Sequence, residues 1–79
     1  MPDRLSDLPS GAEATIVTLP GGVPALVRLR ELGLLPGTRL QVVRRAPLGD
    51  PIEISLRGAL LSLRQSEADL IEVAPAAGK

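Results

Sequence analysis

The chain of 79 residues carries nine basic and nine acidic side chains, and it contains no His, Cys, Phe, Tyr or Trp. Its zero net charge argues against nucleic acid or an anionic membrane surface as a partner, because both select for an excess of basic residues. The missing side chains are also the usual zinc and copper ligands, the base of a serine nucleophile and the stacking platforms for single-stranded nucleic acid. No carboxylate or arginine pair stands out as a catalytic site, so we expect a protein that is not an enzyme.

The length and hydropathy of the chain predict one small domain over residues 1–79. A chain of this size hides only a little more than ~60% of its unfolded surface, and without disulfides its aliphatic side chains must form the core. The N-terminal residues have no apolar stretch of signal-peptide length, and no apolar run approaches the ~20 residues that cross a bilayer. We therefore expect a cytoplasmic protein without direct membrane insertion.

The N-terminal part of the chain predicts a lead-in segment followed by a strand. Leu5 and Leu8 are expected to dock on the core, and residues 8–11 fit a type I turn with Pro at the second position and Gly at the fourth. Residues 12–19 then alternate as a strand. Pro20 ends this strand, because proline cannot donate a hydrogen bond to a sheet.

A short helix is predicted to begin at Pro24, since proline is favoured at the first helical position. Ala25, Leu29 and Leu32 recur at i, i+4 and i+7, with Leu26 beside them, which predicts that they form its apolar face. Gly33 follows them. Glycine readily adopts the left-handed conformation that ends many helices, so Gly33 is predicted to be the C′ residue of the cap.

The residues after this glycine predict a Schellman cap and a sharp turn into a second strand. Leu29 and Leu34 occupy the two positions whose side chains touch in such a cap. Pro36 and Gly37 suit the second and third positions of a type II turn, because proline fixes φ and glycine accepts positive φ. Residues 39–46 then alternate as the second strand.

The C-terminal half of the chain predicts three further strands. The elements after the second strand are a loop over residues 46–51, strands over 52–57 and 59–64 joined by a turn at Gly58, a helical turn over 66–69, a last strand over 70–73 and a flexible tail over 74–79. The helical turn is predicted to have Ser66 as its N-cap and Asp69 as an imperfect capping-box partner.

Five short strands with one short α-helix after the first predict a mostly β fold, with a folded core over about residues 5–73. The pattern predicts a small closed or nearly closed barrel of about five strands, and closure removes the edges of such apolar strands. The chain reversals of this barrel are predicted at Gly33, Pro36, Gly37 and Gly58.

Three segments carry a more specific pattern. They read LGLLPG at residues 32–37, VVRRAPLGDPI at 42–52, and LR at 63–64 followed by ADLIEV at 68–73. With these segments the chain resembles the ferrous iron transport protein A (FeoA) family over nearly its whole length, and the APLGDPI run is the most specific part of the resemblance.

The resemblance implies an SH3-like β-barrel with an inserted helix. It also implies a cytoplasmic accessory of FeoB, the membrane ferrous-iron transporter with a cytosolic G-domain. On this basis we expect a protein–protein interaction module that binds the cytosolic part of a FeoB-type transporter. The alternative is a stand-alone domain that senses a metal ion or a small ligand in the barrel groove. No feature of the sequence indicates an oligomeric state.

The loop over residues 46–51 is the first candidate for partner binding. Its two prolines reduce the entropy that docking removes, and a structural role rarely requires an exposed leucine at a loop tip. Leu48 and Asp50 are therefore candidate contact residues. A rigid connector between two strands explains the same prolines, and the pattern fits both interpretations.

Two arginines before this loop form a second candidate. Arg44 and Arg45 either recognise an anionic group, such as a phosphate at a nucleotide-binding partner, or form a solvated strand end. Asp50, Glu53 and Glu72 offer oxygen atoms for a weak Fe²⁺ contact. Isolated surface carboxylates usually serve solubility, so no metal site and no cofactor are predicted.

Leu35, Leu48 and Leu60 lie outside the main alternation of the strands. They either form an exposed apolar patch of the kind that marks a protein interface, or Leu35 and Leu60 cover the open ends of the barrel. The sequence fits both arrangements.

Overall fold

The computed structural model describes residues 3–48 and 50–75, and its strands form one antiparallel sheet. The strands are β1 (Asp3–Arg4), β2 (Glu13–Thr18), β3 (Arg39–Arg45), β4 (Ile52–Leu56), β5 (Ala59–Leu63) and β6 (Glu72–Pro75). They pair in the order β1-β6-β2-β3-β4-β5. The mostly β, SH3-like fold is thereby confirmed, with six strands in place of about five.

The helices are short. They are α1 (Pro24–Glu31), α2 (Gln65–Ala68) and a 3-10 helix (Leu5–Asp7). Each helix within the described part of the chain falls short of the length and apolar character needed to cross a membrane.

A single aliphatic core fills the inner side of the sheet. The alternation is cleanest in β4, where Ile52, Ile54 and Leu56 are buried and the two polar residues between them are partly exposed. Such alternation is expected for an antiparallel strand with one covered face. The buried aliphatic residues of the cluster are Leu5, Leu8, Ala14, Ile16, Leu19, Leu26, Leu29, Leu34, Leu40, Val42, Ile52, Ile54, Leu56, Leu63, Ala68, Ile71 and Val73.

The end of α1 has the two hydrogen bonds of a Schellman cap. Gly33 has a φ of +109°, and its N–H donates to the carbonyl of Arg30 at 3.0 Å. The N–H of Leu34 donates to the carbonyl of Leu29, also at 3.0 Å. Both leucines are buried, so the cap that ends the helix also brings two side chains into the core.

The predicted apolar face of α1 is partly wrong. Leu26 and Leu29 are buried, whereas Leu32 is 56% exposed. Leu32 is the C-cap residue that follows the helix, and at ~100° per residue it is rotated by about 120° from Leu26, away from the buried side.

Two chain reversals use residues at positive φ. Gly37 has a φ of +89°, and the N–H of Thr38 donates to the carbonyl of Leu35 at 3.0 Å, as a type II turn requires. Between β4 and β5, Arg57 and Gly58 have φ values of +53° and +83°. Positive φ at both positions defines a type I′ turn, whose twist matches that of the flanking strands.

A β-bulge in β3 decides the direction of its two arginines. The pairing with β4 shifts in register between Val42 and Arg44. Strict alternation would turn Arg44 to the buried side that Val42 occupies. The extra residue instead moves Arg44 to the outer face, beside Glu53, and moves Arg45 to the inner side.

The lead-in differs from the predicted type I turn over residues 8–11. The N–H of Ala12 donates to the carbonyl of Pro9 at 3.1 Å, and Gly11 has a φ of +91°. The turn therefore begins one residue later, with its glycine at the third position, where positive φ is needed. The two-residue strand β1 was not predicted, because so short a strand has no periodic signal.

The N-cap of α2 lies two residues before the predicted Ser66. It is Arg64, whose backbone N–H donates to Oε1 of Glu67 at 2.8 Å. Glu67 is three residues after the cap, the position from which a carboxylate reaches back to the N-cap N–H. Ser66 thus lies inside the helix, and Asp69 is not the capping partner.

The last strand also begins two residues later than the predicted 70–73, since β6 starts at Glu72. Ala74 and Pro75 pair with β2, although the sequence predicts a flexible tail from residue 74. Their partner strand lies far away in the sequence, so no local pattern reports this pairing. The rest of the predicted tail, 76–79, lies outside the described residues.

Candidate functional site

The loop over residues 46–51, here called the β3–β4 loop, exposes an apolar side chain. Leu48 is 95% exposed, the largest exposed fraction among the large hydrophobic residues that the structure describes. The two ends of the loop are joined, because the N–H of Ala46 donates to the carbonyl of Pro51 at 3.0 Å. The exposed leucine therefore belongs to a loop with a fixed base.

Arg45 attaches this base to the N-terminal lead-in. Its guanidinium donates to the carbonyl of Leu8 from Nη2 at 2.6 Å and from Nε at 3.2 Å, and Nη2 also donates to the carbonyl of Ser6. The planar guanidinium suits such multiple bonding. This geometry favours a structural role for Arg45 over the predicted contact with an anionic group of a partner.

Arg44 lies on the outer face and forms an ion pair across the strands. Its Nε donates to Oε1 of Glu53 at 2.8 Å, and the two side chains are 72% and 33% exposed. The hydrogen bond to Glu53, reinforced by the charge of that carboxylate, raises the pKa of Arg44 above its usual value. Arg44 is therefore accessible to a partner, but it is already paired.

Asp50 attaches the other end of the β3–β4 loop to α2. Its Oδ1 accepts a hydrogen bond from the backbone N–H of Gln65, the first residue of that helix, at 3.1 Å. The N–H groups of a first helical turn have no partner within the helix, so the carboxylate satisfies one of them. Asp50 thus helps to position Leu48 whether or not it also contacts a partner.

A cleft of about 360 Å³ lies next to the attachment of Asp50. Its lining residues are Arg28, Asp50, Pro51, Ser62, Leu63, Arg64 and Glu67. Both carboxylates of the lining accept backbone hydrogen bonds, Asp50 from Gln65 and Glu67 from Arg64. Arg28 and Arg64 form no ion pair with any residue in the described ranges. The cleft therefore combines two hydrogen-bonded carboxylates with two arginines that form no ion pair among the described residues.

The three carboxylates considered for Fe²⁺ are not gathered into one site. Glu53 lies on β4 and is paired with Arg44, Asp50 is bonded to the backbone of α2, and Glu72 lies on β6. Two strands separate β6 from β4 in the sheet. Within residues 3–48 and 50–75, no group of three or more His, Cys, Asp or Glu residues is placed to hold a metal ion.

The three leucines that lie outside the alternating pattern of the strands are not gathered at one end of β4. Leu48 precedes this strand, Leu60 pairs with Ser55 near its far end, and Leu35 borders a depression together with Arg57. Five residues of strand span about 17 Å. Leu48 therefore does not form one continuous patch with Leu35 and Leu60, which are 40% and 67% exposed.

Sequence analysis singled out neither arginine of the cleft. Arg28 belongs to α1 and Arg64 follows β5, and only folding brings the two together. No motif or periodicity links the two arginines, so the cleft could not be predicted from the sequence. The loop residues were found because a stiff, proline-rich loop with a central leucine is visible in the sequence itself.

Comparisons with known proteins identify the family of this chain. The chain matches the family model of the FeoA domain over residues 4–75. It is 39% identical over 70 residues to a Fe(2+) transport protein A/Fe(2+) transporter FeoB fusion protein from Porphyromonas gingivalis. That match covers 89% of this chain and 8% of the fusion protein, so the chain spans less than a tenth of the length of that relative.

Two solution NMR structures are also similar to this one. The FeoA protein from Chlorobium tepidum is 42% identical, with a TM-score of 0.90 over 98% of this chain and 73% of the other. The FeoA-like protein from Clostridium acetobutylicum is 28% identical, with a TM-score of 0.87 over 99% and 91% of the two chains. Because the family model covers nearly the whole sequence and the fold agrees with it, this chain belongs to the FeoA family of ferrous iron uptake proteins.

Proposed function

We propose that this protein is a small, non-enzymatic accessory of ferrous iron uptake that binds the cytosolic part of a FeoB-type transporter. Membership of the FeoA family supports the role in iron uptake. In the relative from Porphyromonas gingivalis, Fe(2+) transport protein A and the transporter FeoB are parts of one fusion protein, which supports their association. Activity at the transporter would then come from docking and not from chemistry on this chain.

The observation that carries the proposal is the exposure of Leu48 on an anchored loop. Full burial of a leucine contributes about 1.5–3 kcal/mol, and here almost all of that side chain is available to a partner. A loop fixed at both ends loses little conformational entropy on docking. Leu48 therefore has the properties of an apolar anchor residue.

The surroundings of Leu48 resemble the rim of an interface. A depression of about 310 Å³ at the base of the loop is lined by Arg44, Arg45, Ala46, Pro47, Pro51 and Glu53. The exposed pair of Arg44 and Glu53 borders this depression with one charge of each sign. A polar border around an apolar anchor is the usual arrangement at protein interfaces, where the central contacts supply most of the affinity.

Binding measurements with the whole chain test the proposal. The immobilised protein is titrated with the cytosolic part of the FeoB-type transporter of the same organism, and with the whole transporter in detergent micelles. We expect saturable binding to both, with an unrelated G-domain protein as the negative control. Absence of binding to either form of the transporter would contradict the proposed function.

An anaerobic Fe²⁺ titration of the free protein separates this proposal from a metal-sensing domain. The interaction module predicts no stoichiometric, micromolar Fe²⁺ binding, because the three candidate carboxylates are not gathered into one site. Saturable binding of one ion per chain, without retention on the transporter, would instead favour the sensing domain.

A further inference from the structure

The strand β5 ends the sheet and lacks the features that normally protect an edge. Natural edge strands are short, or carry charges, prolines or bulges that prevent pairing with another chain. The opposite edge follows this rule, since β1 consists of only Asp3 and Arg4. In contrast, β5 reads ALLSL over five residues, and Leu60 on it is 67% exposed.

The hairpin geometry determines which backbone groups of β5 are unused. Leu56 and Ala59 flank the two-residue turn and lie opposite each other. The residues that flank such a turn form a hydrogen-bonded pair, and hydrogen-bonded and non-hydrogen-bonded pairs alternate along an antiparallel ladder. Leu61 and Leu63 therefore bond to β4, whereas the N–H and C=O groups of Leu60 and Ser62 point away from it.

The outward groups of Leu60 and Ser62 have no backbone partner in the described part of the chain. Besides the pairing with β4, residues 59–63 form no backbone hydrogen bond with residues 3–48 or 50–75. Two donors and two acceptors are thus arranged in a row along an exposed strand. The group that satisfies such a row is the backbone of another extended segment.

The cleft at the end of β5 favours a negative charge on the added segment. Ser62, Leu63 and Arg64 line it, so a chain that extends along β5 enters it directly. Two arginines line the cleft, Arg28 and Arg64, and both carboxylates of its lining accept hydrogen bonds from backbone N–H groups. A guanidinium binds a carboxylate through two parallel hydrogen bonds, so an acidic side chain fits this position.

We propose that β5 is the docking edge for an extended, acidic segment of a partner protein. The segment adds to the sheet by pairing with Leu60 and Ser62, and it places a carboxylate against Arg28 and Arg64. A second copy of this chain is a poor occupant, because antiparallel pairing of two β5 strands would bring the Arg57 end of one copy beside the Arg64 end of the other. The proposal goes beyond docking through Leu48, and it does not depend on the identity of the partner.

A synthetic peptide tests this edge without any transporter. The probe is an acetylated and amidated nine-residue peptide of alternating Thr and Val with Asp at both ends, which fits either strand direction. The matched control peptide has Lys in place of Asp. Amide hydrogen exchange and chemical shifts of the whole protein are measured by NMR with and without each peptide.

In the free protein, we expect fast exchange for the amides of Leu60 and Ser62 and slow exchange for those of Leu61 and Leu63. The acidic peptide should slow the first two amides. The lysine peptide should bind at least about tenfold more weakly, because it places like charges in the cleft. Equal binding of the two peptides, or shifts that map away from residues 59–64, would overturn the proposal.

Substitutions at Leu60 separate backbone pairing from side-chain contact. Leu60→Pro removes the outward N–H and should abolish binding of the acidic peptide, whereas Leu60→Ala keeps the N–H and should bind within about threefold of the unmodified protein. If Leu60→Pro does not fold, as judged by thermal melting, Ser62→Pro provides the same test. Unchanged binding by a folded proline variant would contradict strand addition.

Neutral replacement of the two arginines tests the cleft. The double variant Arg28→Gln, Arg64→Gln should lose the preference for the acidic peptide, because Asp50 and Glu67 are then the charged side chains of the lining, and a retained preference for the acidic peptide would overturn the role of the cleft. Protection of Leu60 and Ser62 that increases with protein concentration, without peptide, would identify a second copy as the occupant and overturn the proposal. Failure of the transporter to bind, with these peptide results intact, would instead contradict only the proposed function.

Discussion

The segment over residues 29–38, here called the cap segment, and the β3–β4 loop both contain proline and glycine in their sequences and both reverse the chain, but different contacts hold them. In the cap segment the hydrogen bonds that end the helix and close the turn are local, from the N–H of Leu34 to the carbonyl of Leu29 and from that of Thr38 to the carbonyl of Leu35. Two further backbone bonds, of Gly37 and Thr38 with Ile16, join the end of this segment to β2. In the β3–β4 loop a local bond joins Ala46 to Pro51, but the contacts that attach the loop and its base to the rest of the fold are distant in sequence, from Arg45 to Leu8 and from Gln65 to Asp50.

The two segments also differ in whether their leucines are buried. The cap segment buries Leu29 and Leu34, while the β3–β4 loop leaves Leu48 almost wholly in solvent. Local hydrogen bonds that bring side chains into the core serve stability. A loop whose polar side chains attach it to two other parts of the fold, and whose apolar side chain stays outside, is instead suited to recognition.

The largest effect on stability is expected in the cap segment. Gly33→Val places a β-branched residue at a φ of +109°, a conformation that such residues rarely adopt. We expect the free energy of unfolding to fall by at least ~1–3 kcal/mol, as measured by chemical denaturation. Backbone strain is expected whatever the space around the side chain, since an added Cβ itself would make only an ordinary contact, 3.8 Å from Cδ2 of Leu56.

Gly21→Val is the matched control for this substitution. Gly21 is not among the glycines with positive φ, and no heavy atom lies within 4 Å of the position of an added Cβ. The control should therefore change stability by less than about 0.5 kcal/mol. Equal stability of the two variants would show that the cap does not depend on the left-handed conformation of Gly33.

An intermediate effect is expected where the β3–β4 loop is attached to the lead-in. Arg45→Met keeps the apolar stem of the side chain but removes the donors to the carbonyls of Ser6 and Leu8. We expect a loss of about 1.5 kcal/mol, at the lower end for hydrogen bonds of charged groups because the site is only partly buried. Chemical denaturation measures this loss.

Arg44→Met is the control, since it removes an arginine from the neighbouring position, where the ion pair with Glu53 is exposed. Exposed ion pairs contribute little to the free energy of unfolding, so the stability of this variant should be close to that of the unmodified protein. A larger loss for Arg44→Met than for Arg45→Met would contradict the structural role of Arg45.

A smaller effect is expected at the attachment of the loop to α2. Asp50→Ala removes the acceptor for the N–H of Gln65, and the loss of such an acceptor at the start of a helix costs about 1 kcal/mol. Asp50→Asn keeps an oxygen acceptor and should restore most of this stability. If the two variants are equally destabilised, the negative charge matters and not the hydrogen bond.

The sequence predicts the cap segment well because its contacts are local. Gly33 bonds to Arg30, and the turn that contains Gly37 is closed by the bond from Thr38 to Leu35, so residue type and spacing contain the information for both reversals. The alternating core positions of β4 are predictable for a similar reason, because the period of two persists along the whole strand.

The candidate site was only partly predictable, since its geometry depends on contacts between distant residues. The β-bulge turns Arg45 inward, where it donates hydrogen bonds to the N-terminal lead-in. Nothing in the sequence distinguishes Arg45 from Arg44 in this respect. Likewise, the edge position of β5 follows from the order of the strands and not from any segment. Only the exposed leucine of the loop could be selected from its neighbours in sequence.

The smallest effect on stability and a large effect on binding are expected at Leu48. Since this side chain is 95% exposed, Leu48→Asp should change the free energy of unfolding by no more than ~0.5 kcal/mol. If the loop docks on the transporter, the same change places an unpaired charge in an apolar contact. Truncation of a central interface residue costs at least ~2 kcal/mol, so affinity should fall more than about thirtyfold.

Paired measurements on Leu48→Asp and Leu48→Met decide between a docking residue and a simple connector. Leu48→Met keeps the apolar volume and should preserve both the melting temperature and the affinity for the cytosolic part of the transporter. Leu48→Asp should preserve the melting temperature alone. Loss of stability together with binding in the aspartate variant would mean that Leu48 packs into the fold. Retention of both properties would show that the β3–β4 loop only connects two strands, and the difference in function from the cap segment would disappear.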